Sequence, residues 1–154
     1  MILETAQMLS FVSWKVSESY PSDRVRGMYK ARGVSFAKHP CTRWAQHSEE
    51  NFDWLIQHGL ALCAIYTQVY GKRHKSQDVI EKSREFTHLL PQNVGLTPFV
   101  NCTEFKSILY TNRYSTTQLY KMFMGVKWLT RDKKPPTWQK RATPSWFNEE
   151  LFVK

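Results

Sequence analysis

One segment constrains this chain more than any other. Residues 48–70 run without proline from a serine that can cap a helix to the glycine, Gly71, that can end one. Ser48 precedes Glu49 and Glu50, acids placed where the helix dipole favours them, with Asn51 at the third position. Phe52, Leu55, Ile56, Leu60, Cys63 and Tyr66 recur near the 3.6-residue period and form one stripe. Trp54, Ala61, Leu62, Ile65 and Val69 cover much of the remaining surface, so the segment predicts a central, buried helix. Gly59 falls midway, where a missing side chain permits close helix packing.

The flanking pattern is helical as well. Residues 2–18 place Ile2, Leu3, Ala6, Leu9 and Val12 on one stripe, with Glu4 on its flank, no capping residue before it and Pro21 to end it. Residues 21–47 hold Pro21, Gly27, Gly33 and Pro40 and read as loop-rich. Ser76 can cap a helix over 77–88 with Val79, Ile80 and Phe86 inward. Residues 89–100 form a loop with an apolar insert, Leu96 and Phe99, and residues 101–111 fit either a short helix or an extended segment. Ser115 can cap a last helix over 116–129, with Leu119, Phe123, Val126 and Trp128 on its inner face. The expected fold is all-α: a compact single-domain helical bundle over residues 1–147, with long basic loops, an irregular C-terminal region and a short tail at 148–154.

Charge narrows the partner. Lys and Arg total 22 against 13 Asp and Glu, a formal net charge of +9, and such a surface attracts nucleic acid, anionic lipid or a phosphorylated ligand. Arg24, Arg26, Lys30, Arg32, Lys38 and Arg43 are interleaved with Tyr29, Phe36 and Trp44. Such a stretch either holds phosphates and stacks on bases, or is a solvated loop whose rings pin it to the core. Lys72, Arg73, His74 and Lys75 follow the central helix, as phosphate contacts or as a complement to its dipole. Lys127, Arg131, Lys134 and Lys140 accompany Trp138 and Trp146, rings that either stack on unpaired bases or staple the chain end to the core.

Several chemistries find no support. No apolar run approaches the ~18 to 20 residues needed to span a bilayer, and the first residues lack the basic-then-apolar pattern of a signal peptide, which points to an intracellular protein. Cys41, Cys63 and Cys102 are widely spaced and read as reduced thiols, Cys63 as a small core residue. His39, His47, His58, His74 and His88 form no HExxH pair. His39 with Cys41 would need two further ligands from elsewhere, and His58 reads as a buried, hydrogen-bonded ring. No Walker-type loop, GxGxxG or GxSxG is present, so neither metal nor cofactor is expected.

The segments His39-Pro40-Cys41-Thr42-Arg43-Trp44, Trp54-Leu55, His58-Gly59-Leu60-Ala61-Leu62-Cys63, Tyr66-Thr67, Tyr70-Gly71-Lys72 and His74-Lys75-Ser76 resemble a family of short phage-encoded proteins. Asn51 and Gly95-Leu96-Thr97-Pro98-Phe99 fit the same pattern, and Tyr120-Lys121, Phe123 and Lys127 extend it more loosely. Members of that family are in turn similar to pyrimidine-dimer DNA glycosylases of the phage endonuclease V type, through size, helical layout, basic charge and Pro136-Thr137-Trp138-Gln139-Lys140.

The resemblance implies a DNA-repair protein acting on double-stranded DNA in the cytoplasm of an infected host. Such enzymes remove a damaged base and cut the abasic site. An N-terminal α-amine is their nucleophile, suited to Schiff-base chemistry by a pKa of about 8, and a glutamate on the first helix assists it. Glu4 is the matching carboxylate here, as stabiliser of an oxocarbenium ion or positioner of water. In the family the stretch matching Met1 to Leu9 lies inside the chain, so the resemblance also implies either that the start is assigned too late or that this member lacks the family's catalytic N-terminal segment. Two functions follow: a glycosylase and abasic-site lyase, or a non-catalytic nucleic-acid-binding protein. A third is an enzyme on a phosphorylated small molecule, with His39, Cys41, Asn51, Trp54 and His58 as candidate pocket residues.

Overall fold

The computed structural model describes residues 1–18, 25–30, 34–132, 136–138 and 141–147. These residues form helices and connecting loops without a strand, which establishes the all-α class. None of the described helices is long and apolar enough to cross a membrane. The chain partitions into two compact units, Met1–Pro98 and Phe99–Lys154.

The first unit is built on α1 (Ile2–Val16) and α4 (Glu49–Tyr70). α1 buries Thr5, Ala6, Leu9, Ser10, Val12 and Ser13. Its buried hydroxyls are satisfied locally: Ser10 and Ser13 donate to the carbonyls of Ala6 and Leu9 at 2.7 and 2.9 Å. No side chain caps its start, and the expected stop at Pro21 lies outside the described residues.

α4 begins and ends as its sequence dictates. The Ser48 hydroxyl accepts from the Asn51 amide at 3.1 Å, and Gly71 closes the helix with φ of +68°. Phe52, Leu55, Ile56, Gly59 and Cys63 are buried with Asn51. Full burial of Phe52 and Ile56 stabilises by about 1.5–3 kcal/mol each. The expectation of a helix buried all round is corrected in its second half. Beyond Leu60 only Cys63 is buried, while Ala61, Ala64, Thr67, Gln68 and Tyr70 are exposed. α4 is much longer than the elements packed on it. Its middle meets α1 and α5 (Gln77–Lys82), where a Cβ on Gly59 would come within 3.0 Å of Thr5 and 3.1 Å of Ile80.

Two further expectations are revised. The loop-rich stretch contains α2 (Val34–Lys38) and α3 (Pro40–Ala45). Pro40 sits at the first helical position, where its missing N–H is no loss, and His39 Nδ1 caps the turn by accepting from the Cys41 amide at 3.2 Å. The helix expected over 77–88 divides into α5 and a 3-10 helix, Ser83–Leu89, with Val79, Ile80 and Phe86 inward as expected. Ser76 precedes α5 without capping it through its hydroxyl, which instead pairs with Tyr29 Oη at 3.0 Å.

Within the second unit lie α6 (Ile108–Thr111) and α7 (Thr116–Val126), which continues into a wider π turn at Lys127–Arg131. Ser115 and Gln118 form a full capping box at the start of α7. Leu119 is buried, whereas Phe123, Val126 and Trp128 are half-buried. Residues 101–107 are irregular but tied: Tyr120 Oη accepts from the Cys102 amide at 3.1 Å and donates to the Val100 carbonyl at 3.2 Å. Trp128 gathers Trp138, Trp146 and Phe147, with ring centroids 5.4, 5.7 and 5.4 Å from its own.

Candidate nucleic-acid interface

The turn after α4 places its cations around a cavity. Gly71 reverses the chain in the left-handed region, and Lys72, Arg73, His74, Lys75 and Ser76 line a cleft of about 360 Å³ together with Leu3, Tyr29 and Tyr66. No carboxylate is among these lining residues. Tyr29 is fixed through its hydroxyl bond to Ser76, and its amide donates to Ser10 Oγ at 3.1 Å. Tyr66 is held between Tyr70 and His74, with centroid distances of 4.7 and 4.8 Å, the His74 ring near-perpendicular to it.

The four cationic positions are not equivalent. Arg73 is committed to α5: its guanidinium bonds Asp78 and reaches Glu81 Oε2 at 2.7 Å. Glu81 is held below the usual carboxylate range by its bonds from Gln77 and Arg73. The Lys72 and Lys75 ammoniums have no carboxylate partner among the described residues. His74 Nδ1 accepts from the Ser76 amide at 3.1 Å, so in the neutral ring the proton sits on Nε2, which can donate.

Other expected contact residues lie elsewhere. Arg26 and Lys30 are exposed, and the Arg26 carbonyl accepts from Lys82 Nζ at 2.6 Å. Lys38 is exposed at the end of α2, and Arg43 Nε donates to the Ala37 carbonyl at 3.2 Å. Arg24, Arg32, Lys134 and Lys140 fall outside the described residues. In the second unit Arg131 forks onto Glu104 at 2.7 and 2.8 Å, and Lys127 lies 3.9 Å from Asp132. Trp138 belongs to the ring cluster on Trp128, which favours the stapling role.

Trp44 is corrected from base-stacking ring to core residue. It is 7% exposed, and its indole N–H donates to the Thr97 carbonyl at 3.3 Å. The five candidate pocket residues take separate structural roles. Asn51 is fully buried and bonded on both sides of its amide, His39 caps α3, and Cys41 is half-buried beside it. His58 is half-buried and stacks on Trp54, centroids 5.2 Å apart and planes within 7°. Burial lowers its pKa. The expected hydrogen bond is replaced by that ring contact. Trp54 borders a second, acidic cleft with Glu49, Glu50 and Asp53. Cys63 is a buried core thiol, its pKa raised by burial. Among the described residues no three His, Cys, Asp or Glu gather where a metal ion could sit.

Glu4 occupies the first turn of α1, 67% exposed and 3.2 Å from the Met1 nitrogen. It does not line the basic cleft, though its neighbour Leu3 does. Tyr66 is the site residue that periodicity hides. The stripe assigns it to the core, but its place one turn from Gly71 and four residues before Tyr70 sets it beside the cations. Comparison with protein-family models, with curated proteins and with solved structures finds no match for this chain.

Proposed function

We propose that this protein binds nucleic acid, with duplex DNA as its partner, and that the cleft after α4 is the centre of the interface. The observation that carries this reading is the pairing of two lysines that have no carboxylate partner among the described residues with two tyrosine rings, in a wall whose described residues include no carboxylate. Phosphates take the ammoniums, while the rings offer apolar faces to bases or sugars. The overall charge of +9 steers a polyanion toward the surface and makes its binding salt-sensitive. Binding to labelled duplex, followed by fluorescence anisotropy across a salt series, tests this. Log affinity should fall linearly with log salt, and each of Lys72→Gln and Lys75→Gln should reduce the slope by about 1. Affinity that is indifferent to salt would remove the reading.

A second reading keeps the DNA-repair activity, with Glu4 as its carboxylate. What favours it is that Leu3, the residue before Glu4 in the first turn of α1, lines the cleft, although Glu4 itself does not. Release of bases from ultraviolet-irradiated duplex, lost in Glu4→Gln while binding persists, is the outcome it requires. Intact duplex after incubation with the wild-type chain leaves the non-catalytic function alone.

A further inference from the structure

We propose that the basic cleft captures the terminal phosphate monoester of a nucleic-acid strand, in preference to the diesters along its backbone. The inference rests on the nucleic-acid reading and names the part of the ligand that the cleft takes. At about 360 Å³ the cavity lies at the small end of ligand pockets, which run from about 300 to 1,000 Å³. It has room for one nucleotide unit, not for a run of chain.

Its charge supports the same choice. Lys72 and Lys75 line one small volume, and neither has a carboxylate partner among the described residues. The third cation, Arg73, also lines the cleft, but its guanidinium is bonded to Asp78 and Glu81 and keeps both acids occupied. A backbone diester carries one negative charge and would leave one lysine uncompensated. A terminal monoester carries about −1.5 to −2 at neutral pH and matches both. The Nε2–H of neutral His74 supplies a further donor to a group that has three acceptor oxygens. Tyr66, steadied by Tyr70 and His74, gives the attached nucleoside a ring to rest against.

The test compares one short, fluorescently labelled oligonucleotide carrying either a 5′-hydroxyl or a 5′-phosphate, with a 3′-phosphorylated version as a third arm. A phosphorylated end should bind roughly 2- to 30-fold more tightly than the hydroxyl end, the range expected from two solvent-accessible ion pairs. Lys72→Gln/Lys75→Gln, both exposed positions, should erase the difference between the ends. A nucleoside 5′-monophosphate should compete for the cleft better than inorganic phosphate. Tyr66→Leu should reduce that advantage, and Tyr66→Phe should keep it. Equal affinity for all ends, with binding still weakened by the lysine substitutions, overturns the monoester preference and leaves the nucleic-acid interface standing. Capture of the mononucleotide without any oligonucleotide binding sinks the nucleic-acid reading and retains the monoester site. Oligonucleotide binding that ignores both lysines overturns both assignments to this cleft.

Discussion

Replacing Asn51 should destabilise the first unit more than any exposed substitution, because one amide ties three pieces of chain together. Its Nδ2 donates to the Trp44 carbonyl at 2.8 Å and to Thr97 Oγ1 at 2.7 Å, and its Oδ1 accepts from the Thr97 amide at 2.9 Å. Asn51→Leu keeps the branched shape and removes all three bonds. The Trp44 carbonyl loses little, since it still accepts from the His47 amide at 3.1 Å. The Thr97 amide and hydroxyl lose these partners on a half-buried segment that water reaches in part. An orphaned polar group costs about 1–3 kcal/mol when buried, so two partly hydrated ones give a loss of about 2–4 kcal/mol. At a urea slope of about 2 kcal/mol/M the unfolding midpoint falls by about 1–2 M. Amide exchange at Thr97 should accelerate in step. Asn51→Asp adds a sign test. Its carboxylate would face the Trp44 carbonyl oxygen, and burial would raise its pKa above the free value of about 3.9. The folded state then holds the proton more tightly than the unfolded state, so this variant should recover stability as pH falls through its folded pKa. A midpoint shift under about 0.5 M for Asn51→Leu, or a deficit in Asn51→Asp that does not change with pH, would refute the hub.

Two other positions give independent checks. Gly59→Ala gains about 1 kcal/mol of helix propensity but sets a Cβ 3.0–3.2 Å from buried atoms of Thr5 and Ile80, an overpacking that costs about 1–3 kcal/mol. A net loss of up to about 2 kcal/mol in chemical denaturation is expected, part of it recovered by Ile80→Val, which removes the Cδ1 atom at 3.1 Å. His58 has its pKa lowered by burial, so as pH falls the unfolded chain takes up a proton before the folded chain does. That contribution to stability is present at neutral pH and is lost as pH falls through the folded value. His58→Phe, which keeps a ring against Trp54, should flatten the acid side of the stability profile measured by urea midpoints; an unchanged profile would show that other groups govern it.

How much of this was legible in the sequence depends on how local each cause is. The limits of α4 were visible because Ser48 and Gly71 act on their own backbone within one turn. The capping box of α7 was half visible: Ser115 stood out, while Gln118 completes it from three residues on. The helix at Pro40–Ala45 is hidden because a proline inside a chain segment ordinarily breaks a helix, although at the first helical position it starts one. The half-exposure of α4 beyond Leu60 was hidden because an apolar count does not say how long the neighbouring helices are. Asn51 read as a polar group available to a ligand, and no local signal pointed to Thr97, 46 residues away, as its partner.

The same division explains the cleft. Sequence shows four adjacent cationic residues and nothing to separate them. The structure separates them by geometry: Asp78 and Glu81 lie three residues apart on one face of α5, and a single guanidinium nitrogen of Arg73, Nη2, bonds both. Arg73 therefore becomes part of the scaffold, and its two acids are withdrawn from Lys72 and Lys75. The turn at Gly71 then sets those lysines, with His74, around Tyr66 and Tyr29. A net charge alone would predict a diffuse basic face. In the first unit the ion pairs of Arg73 with α5 commit that arginine to the scaffold and leave Lys72 and Lys75, among the described residues, beside Tyr29 and Tyr66, where charge and aromatic surface coincide.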